Sequence, residues 1–292
     1  MLTPIVFSIH DANGNYWPYL AVAIKSVLSG GLVKSIWVLH DHTLTQLARS
    51  QLEKLCLIYH CRINFGKVNL PTFLAHANYG PFSPASIFRL AIPQFFKDYD
   101  QIVYLDCDLV FNGVDVAEII CSAGDAPIAA VLDPFIVRTQ LHREQLHSLG
   151  LNPAHYFNSG VLVMRPKKLR HDLIMQFHAF CKQQKVMSHP DQDFLNIQFK
   201  GQWQPLDARF NYQVSVFDRT LFQSVSSYQG KVIHYAGKLK PLRGMLAPAF
   251  LPFWMYATGI VEATQAFDEN VLSVLEPDPR NIDGVLIRRI IF

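Results

Sequence analysis

The chain has little that would cross-link it covalently or carry it through a membrane. Its five cysteines, Cys56, Cys61, Cys107, Cys121 and Cys181, form an odd set with no C-x-x-C pair. That argues against a disulfide framework or a structural zinc site and fits a reducing cytoplasm. Only 17% of the residues are charged and the formal net charge is +3, an excess too small to point to nucleic acid. No G-x-G-x-x-G follows the first apolar run and there is no Walker lysine, so neither a dinucleotide cofactor nor a P-loop is expected. The opening MLTPIVFSIH has no basic n-region and no long apolar h-region, so it reads as a first strand and not as a signal peptide. The most membrane-like stretch, Gly244 to Val261, carries no charge but contains Pro248 and Pro252, which would break a spanning helix.

What is present is a large reserve of apolar side chains. Half of the 292 residues are hydrophobic, enough for one elaborated domain or two closely packed halves. Apolar runs at Ile5–Ile9, Ser35–Leu39 and Ile63–Val68 read as strands, separated by segments whose apolar residues recur at helical spacing. Asn15 and Pro18 mark the expected start of the first helix, and Ser83-Pro84 that of a helix carrying Arg89. Pro127–Leu132 and Gly160–Met164 are further strands, Pro190-Asp191-Gln192-Asp193 looks like a helix first turn, and Lys231–Tyr235 is a last strand. This alternation predicts an α/β fold, a mainly parallel sheet flanked by helices.

The segment QIVYLDCDLV, Gln101 to Val110, organises the rest. Its apolar half predicts a buried parallel strand, and its two aspartates, Asp106 and Asp108, then fall where ligands bind in open α/β sheets. At positions i and i+2 of an extended chain both carboxylates face one way, as a site for a hard cation and a diphosphate requires. A solvated turn after a core strand is the competing reading of these ten residues.

Six motifs in order, IVFSIHDANGNY, SIFRL, YLDCDLVF, FNSGVLVM, HPDQDFLN and HYAGKLKP, resemble those of the family-8 glycosyltransferases from about Ile5 to Pro241. The resemblance implies a GT-A-type nucleotide-sugar fold with a catalytic domain over 1–242 and a carboxyl-terminal extension over 243–292. It implies that Asp106, Asp108 and His234 bind manganese, with magnesium as the alternative ion. Ser8, Asn15, Cys107, Gly237 and Lys240 would meet the nucleotide, and either His10 or Asp11 would read the base, Asp11 being preferred because a carboxylate can accept from the uracil imide. Arg89 would contact the donor. Asp133, Asn158, Gly160, Asp191 and Gln192 would hold the transferred sugar through its hydroxyls. The implied activity is retaining transfer of galactose or glucose from a UDP-sugar to a glycan or glycolipid acceptor, as in lipopolysaccharide synthesis. Gln192 would stabilise positive charge on a front-face path, with Asp191 or Asp133 as the alternative nucleophile.

Two rival classes remain at this level. A non-catalytic nucleotide-sugar or glycan-binding module would keep the same pocket, and a phosphatase could use the first aspartate of D-x-D as its nucleophile, though that motif usually stands near the amino terminus and precedes Gly-Thr. The tail aromatics Phe250, Phe253, Trp254 and Tyr256, with Arg288 and Arg289, read either as a peripheral contact with the inner face of a membrane or as core packing.

Overall fold

The computed structural model describes residues 3–70, 83–136, 138–183, 189–215, 219–237, 240–242 and 247–260. The chain runs β1 (Ile5–Ile9), α1 (Trp17–Gly30), β2 (Ser35–His40), α2 (Gln46–Ile58) and β3 (Arg62–Lys67), then α3 (Ala85–Phe88), α4 (Ile92–Phe95), β4 (Ile102–Leu105) and β5 (Leu109–Asn112). It continues through α5 (Val116–Ser122), β6 (Ile128–Leu132), α6 (Gln140–Ser148), β7 (Phe157–Met164), α7 (Leu173–Gln183) and α8 (Pro190–Gln198). Last come β8 (Trp203–Pro205), β9 (Tyr212–Gln213), β10 (Lys231–His234) and α9 (Leu251–Ala257).

The main sheet has the order β3-β2-β1-β4-β7-β6-β8. Strands β3, β2, β1 and β4 are parallel, as the alternation predicts, and β7 is inserted antiparallel between β4 and β6. This reversal positions the site. An antiparallel β7 begins at the edge where β4 ends, so Leu105 pairs with Val161 and the Asp106 amide donates to the Gly160 carbonyl at 2.9 Å. The same edge receives Asp133, whose amide donates to the Tyr156 carbonyl at 2.9 Å. A second, three-stranded sheet, β5-β10-β9, takes over after β4. Its antiparallel pairing of His234 with Leu109 carries the histidine back to the aspartates.

Alternation along the strands splits the core into two apolar layers, one on each face of the sheet. Ile5, Phe7, Ile9, Val103 and Leu105 face α1, α2 and the small sheet, whereas Val6, Ile102 and Tyr104 face α3, α4, α7 and α8. Three local expectations change. The cap of α1 is not Asn15, which is exposed; the Asp11 carboxylate accepts from the amides of Tyr16 (2.8 Å) and Trp17 (3.1 Å). The helix around Arg89 is broken into α3, a 3-10 turn over Arg89–Ala91, and α4. Strand β7 starts at Phe157, three residues before the expected Gly160.

The described part of the tail joins the first layer. Phe250, Phe253 and Trp254 are buried, and the Phe253 ring lies 5.4 Å from that of Tyr19 on α1. For these three side chains core packing is therefore the reading that holds. Arg288 and Arg289 lie outside the described residues. Among the described residues no helix is long and apolar enough to cross a membrane. Replacing Phe253 by alanine is expected to cost about 3–5 kcal/mol, the cost of deleting a buried aromatic. It should appear in urea unfolding as a lower midpoint at unchanged slope; a surface aromatic would shift it by a few tenths at most.

Candidate active site

Strand β4 stops at Leu105, and Asp106 to Asp108 form a turn in which the chain passes from the large sheet to the small one. The expected continuous extended segment is thus interrupted, yet both carboxylates still converge. Ligand atoms of Asp106, Asp108 and His234 all lie within 4.8 Å of one another. His234 Nε2 is 3.4 Å from Asp108 Oδ1 and 3.8 Å from Asp106 Oδ2. In each carboxylate one oxygen is held by the protein and the other faces the histidine. Asp106 Oδ1 accepts from Arg89 Nη2 and from the Tyr104 hydroxyl, each at 2.8 Å. Asp108 Oδ2 accepts from Lys240 Nζ and, at 3.3 Å, from the Tyr16 hydroxyl.

Burial pushes the Asp108 carboxyl up, but the Lys240 charge and the His234 imidazole outweigh it and hold the group well below the usual carboxylate range. Two carboxylate oxygens and an imidazole nitrogen suit a borderline-hard divalent ion such as manganese or magnesium. Gly160 makes room for that convergence. A Cβ there would overlap His234 Cε1 and come within 2.9 Å of Asp106 Oδ2 and 3.0 Å of Asn158 Oδ1. These residues fit a metal ion.

Arg89 joins this cluster to the next. It is buried, its Nη1 donates to the Ser159 carbonyl at 2.5 Å, its Nε stands 3.5 Å from Asp191 Oδ2, and its guanidinium lies over the Tyr104 ring at 4.7 Å. Burial disfavours the charge, but Asp106, Tyr104 and Asp191 more than restore it, so Arg89 is cationic. On the far side, Asp133 Oδ2 accepts from Asn158 Nδ2 and from Gln192 Nε2, each at 3.0 Å. Gln192 Oε1 in turn accepts from the Ser159 amide at 2.9 Å. Burial raises the Asp191 carboxyl, with Arg89 opposing. Asp191 and Gln192 stand in the first turn of α8, as the sequence predicts. Asp133, Asn158, Gly160, Asp191 and Gln192 are therefore gathered at one sheet edge beside the metal-type cluster.

The residues read as the nucleotide loop divide. Ser8 is buried; its hydroxyl donates to the Ala85 carbonyl at 2.9 Å and lies 2.7 Å from the Tyr104 hydroxyl. Cys107 Sγ donates to the Ser8 carbonyl at 2.9 Å, tightening the turn. Both oxygens of Asp11 are engaged at the start of α1, and His10 Nδ1 is 2.6 Å from Asp41 Oδ2. Asn15 and Gly237 are exposed, and Lys240 is buried against Asp108 and the Tyr235 carbonyl. Tyr104 and Ser159, which lie within YLDCDLVF and FNSGVLVM but were given no role there, and Asn211, which lies in no motif, also join the network. For Tyr104 the period of β4 was a usable signal, since it lies two residues before Asp106.

A family model described as "Glycosyl transferase family 8" matches residues 6–243. A Haemophilus influenzae protein presumed by its name to be a glycosyltransferase is 27% identical over 252 residues, covering 80% of this chain and 71% of its own. Glycosyltransferase GlyB of Streptococcus pneumoniae is 26% identical over 266 residues, covering 85% of this chain and 60% of its own. The crystal structure of galactosyltransferase LgtC, in complex with donor and acceptor sugar analogues, superposes with a TM-score of 0.69 at 26% identity. It covers 93% of this chain and 99% of that one.

Proposed function

Since the chain belongs to glycosyl transferase family 8 and has the GT-A fold, we propose that it transfers a hexose, galactose or glucose, from a UDP-sugar to a glycan acceptor with retention of configuration. A lipopolysaccharide or other bacterial surface glycan is the acceptor we favour. The observation that carries this reading is the junction of two clusters at one sheet edge: Asp106, Asp108 and His234 within 4.8 Å, and the Asp133, Asn158, Asp191 and Gln192 polar group beside them. A binding module would need the pocket but not a metal-type cluster directly beside the sugar end.

Asp106, Asp108 and His234 would hold a manganese ion, with magnesium as the alternative; when bound it neutralises diphosphate charge and makes the nucleotide a better leaving group. Lys240, now on Asp108, brings a cation to the same rim and is suited to meet the departing diphosphate. Asp133, Asn158 and Asp191 offer acceptors and donors to sugar hydroxyls. Gln192 is a poor nucleophile, and its amide is oriented by Asp133 and the Ser159 amide. The Asp191 carboxylate lies 3.5 Å from the Arg89 Nε, and this ion pair weakens it as a nucleophile and favours the front-face path, where the leaving diphosphate takes the acceptor proton.

The test is UDP release from a panel of UDP-sugars. We expect one UDP-hexose to be cleaved slowly without acceptor, only with manganese or magnesium present, with loss of the activity on chelation and recovery when metal is restored. If UDP binds but no UDP-hexose is cleaved with either ion, the chain is a binding module.

A further inference from the structure

Besides the path through Arg89, a second hydrogen-bonded path links the sugar end and the metal end of the site through Asn211, the last residue of the 3-10 turn Ala208–Asn211. Asn211 is 2% exposed and His234 3%, so neither group can replace a lost partner with water readily. Asn211 Oδ1 is 2.8 Å from His234 Nδ1, and Asn211 Nδ2 is 2.9 Å from Asn158 Oδ1. Asn158 Oδ1 also accepts from the Gly160 backbone amide at 2.9 Å, and Asn158 Nδ2 donates to Asp133 Oδ2 at 3.0 Å.

The direction of this chain is fixed by groups that have no choice. A backbone N–H only donates, so the Asn158 atom facing Gly160 is its carbonyl oxygen. A carboxylate only accepts, so the Asn158 atom facing Asp133 is its amide nitrogen, which agrees. The Asn158 oxygen cannot donate to Asn211, so Asn211 turns its nitrogen there and its carbonyl oxygen toward His234. A carbonyl oxygen only accepts, so the proton of the neutral imidazole is on Nδ1 and the lone pair is on Nε2. Nε2 is the nitrogen 3.4 Å from Asp108 Oδ1 and 3.8 Å from Asp106 Oδ2.

We propose that Asn211 is a positioning residue that locks His234 in its Nδ1–H tautomer, so that the Nε2 lone pair is presented with the two carboxylates to a divalent cation. The proposal rests on the metal reading given above. It makes the amide polarity set at Gly160 and Asp133, on the sugar side, the determinant of how the histidine faces the ion.

Two measurements on the full chain test it. The first needs no change in the network: long-range 1H–15N spectra of histidine-labelled, metal-free protein, above the pH at which the imidazole protonates, with His234 assigned by its loss in His234→Gln. The Nδ1–H pattern is expected; an Nε2–H pattern overturns the proposal. The second is manganese titration, followed by the electron paramagnetic resonance of the free ion, of wild type, Asn211→Leu and Asn211→Asp. Asn211→Leu should bind manganese about 10–100-fold more weakly, the usual effect of removing the group that orients a histidine ligand. Asn211→Asp keeps an acceptor opposite Nδ1 but sets an oxygen in place of the Nδ2 donor to Asn158 Oδ1, so it should bind more tightly than Asn211→Leu and more weakly than wild type. Equal binding by folded Asn211→Leu and wild type overturns the proposal, as does equal weakness of the two variants. If Asn211→Leu does not fold, the wild-type spectrum and Asn211→Asp decide. A wild-type chain that shows the Nδ1–H pattern but binds no manganese, with or without UDP, overturns the metal reading and leaves the tautomer standing.

Discussion

Replacing Asp106 by alanine is expected to lower metal-dependent turnover of the sugar nucleotide roughly 10³-fold or more, because one ligand and one fixed charge at the leaving group are lost together. The same change should destabilise the fold. Asp106 Oδ1 accepts from buried Arg89 and from Tyr104, and breaking a buried pair from one side costs about 3–5 kcal/mol. The low end applies here, since Asp106 is 23% exposed and Arg89 keeps Asp191 at 3.5 Å and the Ser159 carbonyl. Asp106→Asn separates the two effects. An amide oxygen can still accept from Arg89 and Tyr104, so most stability should remain, while the anionic oxygen facing His234 is gone. Urea unfolding and manganese-dependent UDP release on both variants check this. Turnover within tenfold of wild type in Asp106→Asn would mean that Asp106 serves Arg89 and not the ion.

This double duty explains which parts of the site could be read from the sequence. Asp106 and Asp108 are visible because they follow an apolar strand directly, and the local chain geometry alone brings them near each other. His234 is visible only through its setting in H-Y-A-G-K-L-K, because it reaches the aspartates by way of a second sheet. That sheet was not legible: β5 resumes the apolar run of β4 directly after Asp106-Cys107-Asp108, so the turn there reads as part of one extended segment. The direction of β7 was equally hidden. A strand buried on both faces looks the same parallel or antiparallel, and only the antiparallel choice sets Asn158 and Gly160 beside Asp106. The capping of α1 from Asp11 was missed because the loop folds back over five residues to satisfy the Tyr16 amide, beyond the reach of a local cap pattern. Asn211 lies in no motif, since its partners Asn158 and His234 are 53 and 23 positions away.

Gly160→Ala should be the second severe change, and it distinguishes a built metal site from a well-packed polar core. Gly160 needs no unusual backbone angle, as its φ is not among the positive ones, so an alanine is tolerated by the chain itself and only its methyl group matters. That methyl would overlap the His234 ring and press on Asp106 Oδ2 and Asn158 Oδ1. None of the three can yield freely. The His234 ring is held through Nδ1 by Asn211, Asp106 by Arg89 and Tyr104, and Asn158 by Asp133 and the Gly160 amide. Overpacking of this kind costs about 1–3 kcal/mol, which leaves a folded protein. The separation of His234 from the two carboxylates must nonetheless change by several tenths of an ångström, and metal ligation tolerates about 0.2 Å. Manganese affinity should therefore fall roughly 100-fold or more, at or beyond the upper limit for disturbing the groups that orient a ligand. Calorimetric manganese titration beside urea unfolding is the check. A variant that loses stability but binds manganese as wild type does would show that His234 and the aspartates meet for packing alone.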